Sequence, residues 1–298
     1  MRIYREMSAA LVASASLVMG AAGLVGCLPG DTRPVPGSVF VTASPSDATA
    51  HGFKTSDGWS VAFDRLLVGM GNIDFHDDNC AGYGEAHYAK LFDFAAPSAA
   101  SPQKVGLAYG LGACPVTFDV RSPSDDAPLT AGVTSADVAF MNARASDAFV
   151  TDDEGAVVYA TGHATKGATT KRFAWLIRQR FDVQDCPAGA DAGAATNLHL
   201  KGNDAVTLDI SVHGEELFRA SADDGAALRF DDLAAADVNG DGDVTLEELA
   251  LVPAPVTSAD TDGGVVTLAD LVYLALTTRM PQVGGGACEI DVHDHDHH

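Results

Sequence analysis

Residues 172–183 read Arg-Phe-Ala-Trp-Leu-Ile-Arg-Gln-Arg-Phe-Asp-Val. The odd positions are Phe173, Trp175, Ile177, Gln179, Phe181 and Val183, and all but one are apolar. Arg172, Arg178, Arg180 and Asp182 fall on the even positions. Successive side chains of an extended chain point to opposite faces, so this period of two predicts one long, half-buried strand. Residues 206–212 repeat the pattern, with Val206, Leu208, Ile210 and Val212 alternating with Thr207, Asp209 and Ser211. Weaker strand signals lie at 38–43, 59–68, 87–93, 104–110, 115–120 and 156–163. Turn-forming stretches separate them, at 94–102, 122–128 and 185–195. Many short strands with such spacers predict an antiparallel β-sandwich-like domain over 38–220.

The character of the chain changes near residue 221. Residues 221–298 hold 16 acidic side chains against Arg229 and Arg279, net −14. Residues 27–220 hold 24 acids against 14 bases, net −10. Helix-spaced apolar residues also gather in the C-terminal part, at Leu246–Val252 and Leu268–Met280. The expected class is therefore α+β: a sandwich-like domain, then a small α-helical module over 221–280 and a tail over 281–298. The 298 residues carry 18 basic and 41 acidic side chains, a formal charge of −23, with 47% hydrophobic residues. That hydrophobic share is enough for a core and argues against general disorder. The acid excess excludes a nucleic-acid partner, because binding phosphates needs clustered Lys and Arg.

Residues 1–26 have the composition of an export signal. Arg2 and Arg5 precede an uncharged, small-residue run from Met7 to Val25. The run ends Leu24-Val25-Gly26-Cys27, which resembles the lipobox of bacterial lipoprotein signal peptides. That resemblance implies cleavage before Cys27, lipidation of its thiol, and anchoring in the cell envelope. Leu28 in place of Asp implies the outer membrane. Residues 27–37, rich in Pro and Gly, then form a tether. Four cysteines remain: Cys80, Cys114, Cys186 and Cys288. An even number in an exported chain reads as two disulfides. Three pairings are possible, and Cys80–Cys114 with Cys186–Cys288 is the sequence-local choice.

Residues 237–248 read Asp-Val-Asn-Gly-Asp-Gly-Asp-Val-Thr-Leu-Glu-Glu. This stretch resembles an EF-hand or dockerin-type calcium loop. Calcium takes 6–8 oxygens at about 2.3–2.6 Å, which accounts for the composition. By the resemblance, Asp237, Asn239 and Asp241 supply side-chain oxygens and Asp243 its backbone carbonyl. Thr245 binds through a water, and Glu248 supplies both carboxylate oxygens. Gly242 permits the sharp turn. A second copy lies 22 positions on, where 263–271 (GGVVTLADL) aligns with 241–249 (DGDVTLEEL). Its ligand positions are Ala259, Thr261 and Gly263, so it reads as a structural mate, with Val266 pairing Val244. The family would imply a protein partner in the envelope. The degenerate second loop argues against the cohesin that dockerins bind.

Other candidates concern softer metals. His293, His295, His297 and His298 stud the tail and suit zinc or copper. His76, His163, His213 and Glu216 could join them in a second site. This makes a periplasmic zinc or copper carrier the alternative function, and a dockerin-like interaction module a further one. No G-x-S-x-G, H-E-x-x-H or P-loop occurs, so a non-enzymatic protein is expected. The expected function is calcium binding at the envelope.

Overall fold

The computed structural model describes residues 34–75, 80–84, 87–97, 101–146, 154–184, 186, 198–221, 223, 225–254, 267–284 and 286–292. Along the chain the elements are β1 (Gly37–Pro45), α1 (Asp47–His51), β2 (Phe53–Lys54), β3 (Ser60–Phe75), β4 (Cys80–Gly84) and β5 (Ala89–Asp93). Next come β6 (Gln103–Cys114), β7 (Val116–Val120), α2 (Ser135–Met141), β8 (Val158–Lys166), β9 (Thr169–Ile177) and β10 (Phe181–Gln184). Then β11 (Leu198–Leu200) and β12 (Ala205–Val212) lead into a 3₁₀ turn at Gly214–Phe218 and α3 (Asp231–Ala235). The chain closes with β13 (Asp243–Thr245), α4 (Leu246–Leu249), α5 (Leu268–Arg279), β14 (Pro281–Val283), β15 (Gly286–Ala287) and β16 (Glu289–Val292).

The strands form two sheets. The first runs β11-β6-β1-β12-β14-β15, with β4 also on β6. The second runs β13-β9-β8-β3-β7-β10-β16, with β2 and β5 also on β3. The alternation read from the sequence holds in detail: Phe173, Trp175, Ile177, Phe181 and Val183 are all buried. So are Leu208, Ile210 and Val212. Facing residues of the two sheets, such as Val39, Val41 and Ile210 against Phe118, Phe173 and Trp175, belong to one apolar core. Burial of this kind is the main favourable term in folding. Among the described residues no helix is long and apolar enough to cross a membrane.

Three expectations need correction. The sheets are mixed rather than antiparallel, because β1 pairs parallel with β12 and β13 parallel with β9. Residues 172–183 form two strands rather than one. The break falls at Arg178, whose buried guanidinium turns inward to donate to the carbonyls of Ala143 and Glu154 at 2.8 and 2.6 Å. Side-chain alternation continues through the break and so conceals it.

The largest correction is to the α+β class. The protein is mostly β, and residues 221–280 do not form a separate helical EF-hand-type module. The helices flanking the 237–248 loop, α3 and α4, have only five and four residues. The intervening β13 is a strand of the second sheet, with Asp243, Val244 and Thr245 opposite Arg172, Phe173 and Ala174. Helix α5 is the one long helix among the described residues. Beyond it, β14 joins β12 and β16 joins β10, so the chain returns to both sheets after residue 280. Val244 therefore pairs with Phe173. Its expected partner, Val266, lies outside the described residues, as does most of the second loop. The sandwich does not end at 220; residues 35–298 make one compact unit.

Both disulfides follow the sequence-local pairing, Cys80–Cys114 and Cys186–Cys288. The first fastens β4 to the end of β6. The second fastens the C-terminal strand to the end of β10. Two disulfides fit a protein exported to an oxidising compartment.

Candidate functional site

The 237–248 loop sits on the outer edge of the second sheet, where β9 positions it. Gly240 and Gly242 adopt φ of 75° and 90°, a left-handed conformation that favours glycine. These turns aim successive backbone amides at the loop's own side chains. Asp237 Oδ1 accepts from Gly240 N at 2.8 Å and Oδ2 from Gly242 N at 2.9 Å. Asn239 Oδ1 accepts from Asp241 N, and Asp241 Oδ1 from Asp243 N, both at 2.8 Å. Each such bond occupies one lone pair, and an ionised carboxylate offers about four, so acceptor capacity remains.

Two basic residues of β9 clamp the loop. Lys171 Nζ meets Asp237 Oδ2, whose side chain is fully covered. The Lys171 hydrogen bond, with those from Gly242 and Gly240, outweighs desolvation and holds the Asp237 carboxyl below the usual carboxylate range. Arg172 forks onto Asp243, with Nε to Oδ1 at 2.6 Å and Nη2 to Oδ2 at 3.1 Å. This leaves the Asp243 side chain engaged with Arg172. Arg172 N also donates to Gly242 O at 2.8 Å, and the Trp175 indole donates to Val244 O at 3.0 Å. Sequence reading missed Lys171, Arg172 and Trp175 as parts of this site. Their one signal was two adjacent bases at the start of a strand in an acidic chain.

Glu248 completes the loop. It is only 8% exposed. Thr245 and Glu248 form a reciprocal cap on α4, in which Oε2 accepts from Thr245 N at 3.1 Å and from Thr245 Oγ1 at 3.3 Å. Oε1 is buried with no hydrogen-bond partner. A buried acceptor left unsatisfied costs about 1–3 kcal/mol, and more when charged. A cation relieves that cost, so the donor set fits a hard, oxygen-seeking ion. Among the described residues, however, no group of three or more His, Cys, Asp or Glu side chains is placed so that it could hold a metal ion.

The other proposed metal residues are not brought together. His163 Nδ1 lies 3.2 Å from Asp64 on the exposed face of β8. His213 lies between Ser211 Oγ, 3.0 Å from Nε2, and Glu215 Oε1, 2.9 Å from Nδ1. Both of its ring nitrogens are thereby engaged. Glu216 pairs with Arg219 at 2.6 Å. His76, His293, His295, His297 and His298 lie outside the described residues, as does Cys27.

The Ser211–His213–Glu215 relay has the order of a nucleophile, base and orienting acid. Glu215 Oε2 also accepts from Ser46 and Thr49, at 2.7 and 2.8 Å. Burial raises the Glu215 pKa, but the bonds from His213, Ser46 and Thr49 outweigh it and hold the carboxyl below its usual range. Ser211 itself stands in β12, which is paired on one side with β1 and on the other with β14. These bonds tie α1, the end of β12 and the 3₁₀ turn together.

Fold and site together define a class: an export-compatible, disulfide-linked two-sheet β protein carrying an oxygen-rich loop on a sheet edge. No family model matches the chain, and no curated protein matches it. Among solved structures it is similar to MbnP from Methylosinus trichosporium, at 13% identity and a TM-score of 0.29, covering 68% of this chain and 89% of that one.

Proposed function

We propose that the protein binds one calcium ion at the 237–248 loop, as a lipid-anchored, non-enzymatic component of the bacterial envelope. The observation that carries the reading is the buried Glu248 carboxylate, with one oxygen in the cap and the other without a partner. Asp237, Asn239, Asp241 and Glu248 are the side-chain ligands, Asp243 contributes its carbonyl, and Thr245 holds a water. The ammonium of Lys171 then competes with calcium for Asp237, and calcium entry displaces it. Envelope calcium is high enough that an affinity of about 10⁻⁴–10⁻³ M suffices. Anchoring rests on the Cys27 lipobox alone.

Trp175 provides the test, because its indole bonds to Val244 within the loop. Calcium should change the intrinsic fluorescence of the full chain in a saturable way, and Glu248→Gln should abolish the change while leaving the circular dichroism spectrum intact. An identical response from the variant would sink the reading. The same titration with zinc separates a soft-metal site, because a zinc response would survive in Glu248→Gln.

A further inference from the structure

A second polar site lies between β5 and β6, independent of the calcium loop. A cleft of about 270 Å³ is lined by Lys90, Gln103, Lys104, Thr130 and the apolar Pro128, Leu129 and Ala131. Lys90 lies on β5, every residue of which is buried, and is itself only 8% exposed. Lysines are almost never buried this deeply without a counter-charge, because desolvating an ammonium is costly. Yet among the described residues no carboxylate forms an ion pair with Lys90 or with the neighbouring Lys104. The hydrogen bond that Lys90 makes is to the backbone carbonyl of Lys104, at 2.8 Å. Its remaining ammonium protons face the Tyr88 ring, 5.7 Å away, and the cleft. Burial, and then the nearby Lys104 charge, lower the Lys90 pKa, as expected where no anion balances the site.

An independent observation points the same way. The amide nitrogen of Gln103, in the wall of the same cleft, is buried and lacks a hydrogen-bond partner. The lining of the cleft thus holds an ammonium without a counter-ion and, just beneath the surface, an amide donor without a partner, beside the exposed Lys104. The side chains of Pro128, Leu129 and Ala131, also in the lining, offer nothing to a bare inorganic ion but suit a hydrocarbon body. We propose that this cleft binds a small organic carboxylate, its oxygens held by Lys90 and Gln103, its charge balanced by Lys104, and its apolar part against Pro128 and Leu129.

Titration of the full chain with hexanoate, followed by nuclear magnetic resonance, tests this. The side-chain amide resonances of Gln103 should shift and saturate. Lys90→Met should weaken binding by about tenfold or more, as expected for loss of a charge-assisted hydrogen bond. Lys104 is exposed, so Lys104→Ala keeps the fold and should weaken binding by a smaller factor; it serves if Lys90→Met does not fold. Absence of a saturable shift, or hexanoate binding that is unchanged in Lys104→Ala and in Gln103→Leu when followed at the backbone amides of residues 129–131, would overturn the proposal. Inorganic phosphate binding more tightly than hexanoate at the same resonances would overturn the carboxylate assignment.

Discussion

Because the 237–248 loop is part of a sheet, calcium should stabilise the whole β body. The loop enters the second sheet through β13, whose three residues pair with Arg172, Phe173 and Ala174 of β9. Val244 and Leu249 are fully buried in the core shared by the two sheets. The Trp175 indole ties the Val244 carbonyl to β9 from within. Unfolding the loop therefore removes an edge strand and part of the core. By linkage, free calcium at a hundred times its dissociation constant adds about 2.7 kcal/mol to the unfolding free energy. For a unit of this size each kcal/mol shifts Tm by about 2–4 °C, so the expected rise is roughly 5–10 °C. The assay is thermal unfolding of the full chain with and without calcium, followed by the far-ultraviolet β signal. A β-signal Tm that does not move at saturating calcium, while binding is measured directly, would refute the claim that loop and sheet unfold together.

Further outcomes follow from other parts of the fold. Replacing Cys186 and Cys288 by Ser opens a link across 102 residues of sequence, which constrains the unfolded chain by about 4–5 kcal/mol in the chain-entropy picture; the urea midpoint should fall markedly and the amides of β16 should exchange fastest. In Gly69→Ala the new Cβ would lie 1.9 Å from the backbone oxygen of Arg121, so β3 and the chain after β7 must separate, at a cost of about 1–3 kcal/mol by chemical denaturation. The depressed Glu215 pKa contributes stability above the ordinary carboxylate pKa and loses it as pH falls through the folded value. Urea midpoints of the native chain and Glu215→Gln should therefore differ at pH 7 and converge in acid; a constant gap across the range would show that the carboxylate's charge is not what the bonds from His213, Ser46 and Thr49 stabilise.

Strand positions were legible because alternation reports burial directly. It places β1, β5, β7, β8 and β12 within a few residues of where they lie, but says nothing about which strands pair. The parallel pairing of β1 with β12 joins Ser38 to Ala205, and no local pattern marks that partner. The two buried faces of β3 erased alternation over Leu66–Gly71, so the strand runs on to Phe75, beyond the expected 59–68. Helix α2 was missed, although Thr134 and Asp137 form a reciprocal cap that the sequence spells as Thr-x-x-Asp. Ligand-type residues at 237–248 were visible because calcium demands a fixed oxygen spacing. The helices expected at Leu246–Val252 and Leu268–Met280 are present as α4 and α5, while Phe230, ahead of the loop, packs against Trp59 and Phe218 in the sandwich core. The Lys90 cleft was invisible, since a lone Lys in a strand signals an exposed face, and only tertiary packing buries it.

Isothermal calorimetry of calcium into the full chain shows whether 237–248 is a calcium site. One site per chain is expected, lost in Asp237→Ala and tighter in Lys171→Met, where the competing ammonium is gone. Absence of binding heat at millimolar calcium, confirmed by equilibrium dialysis, or equal affinity in the native chain and Asp237→Ala, would contradict it.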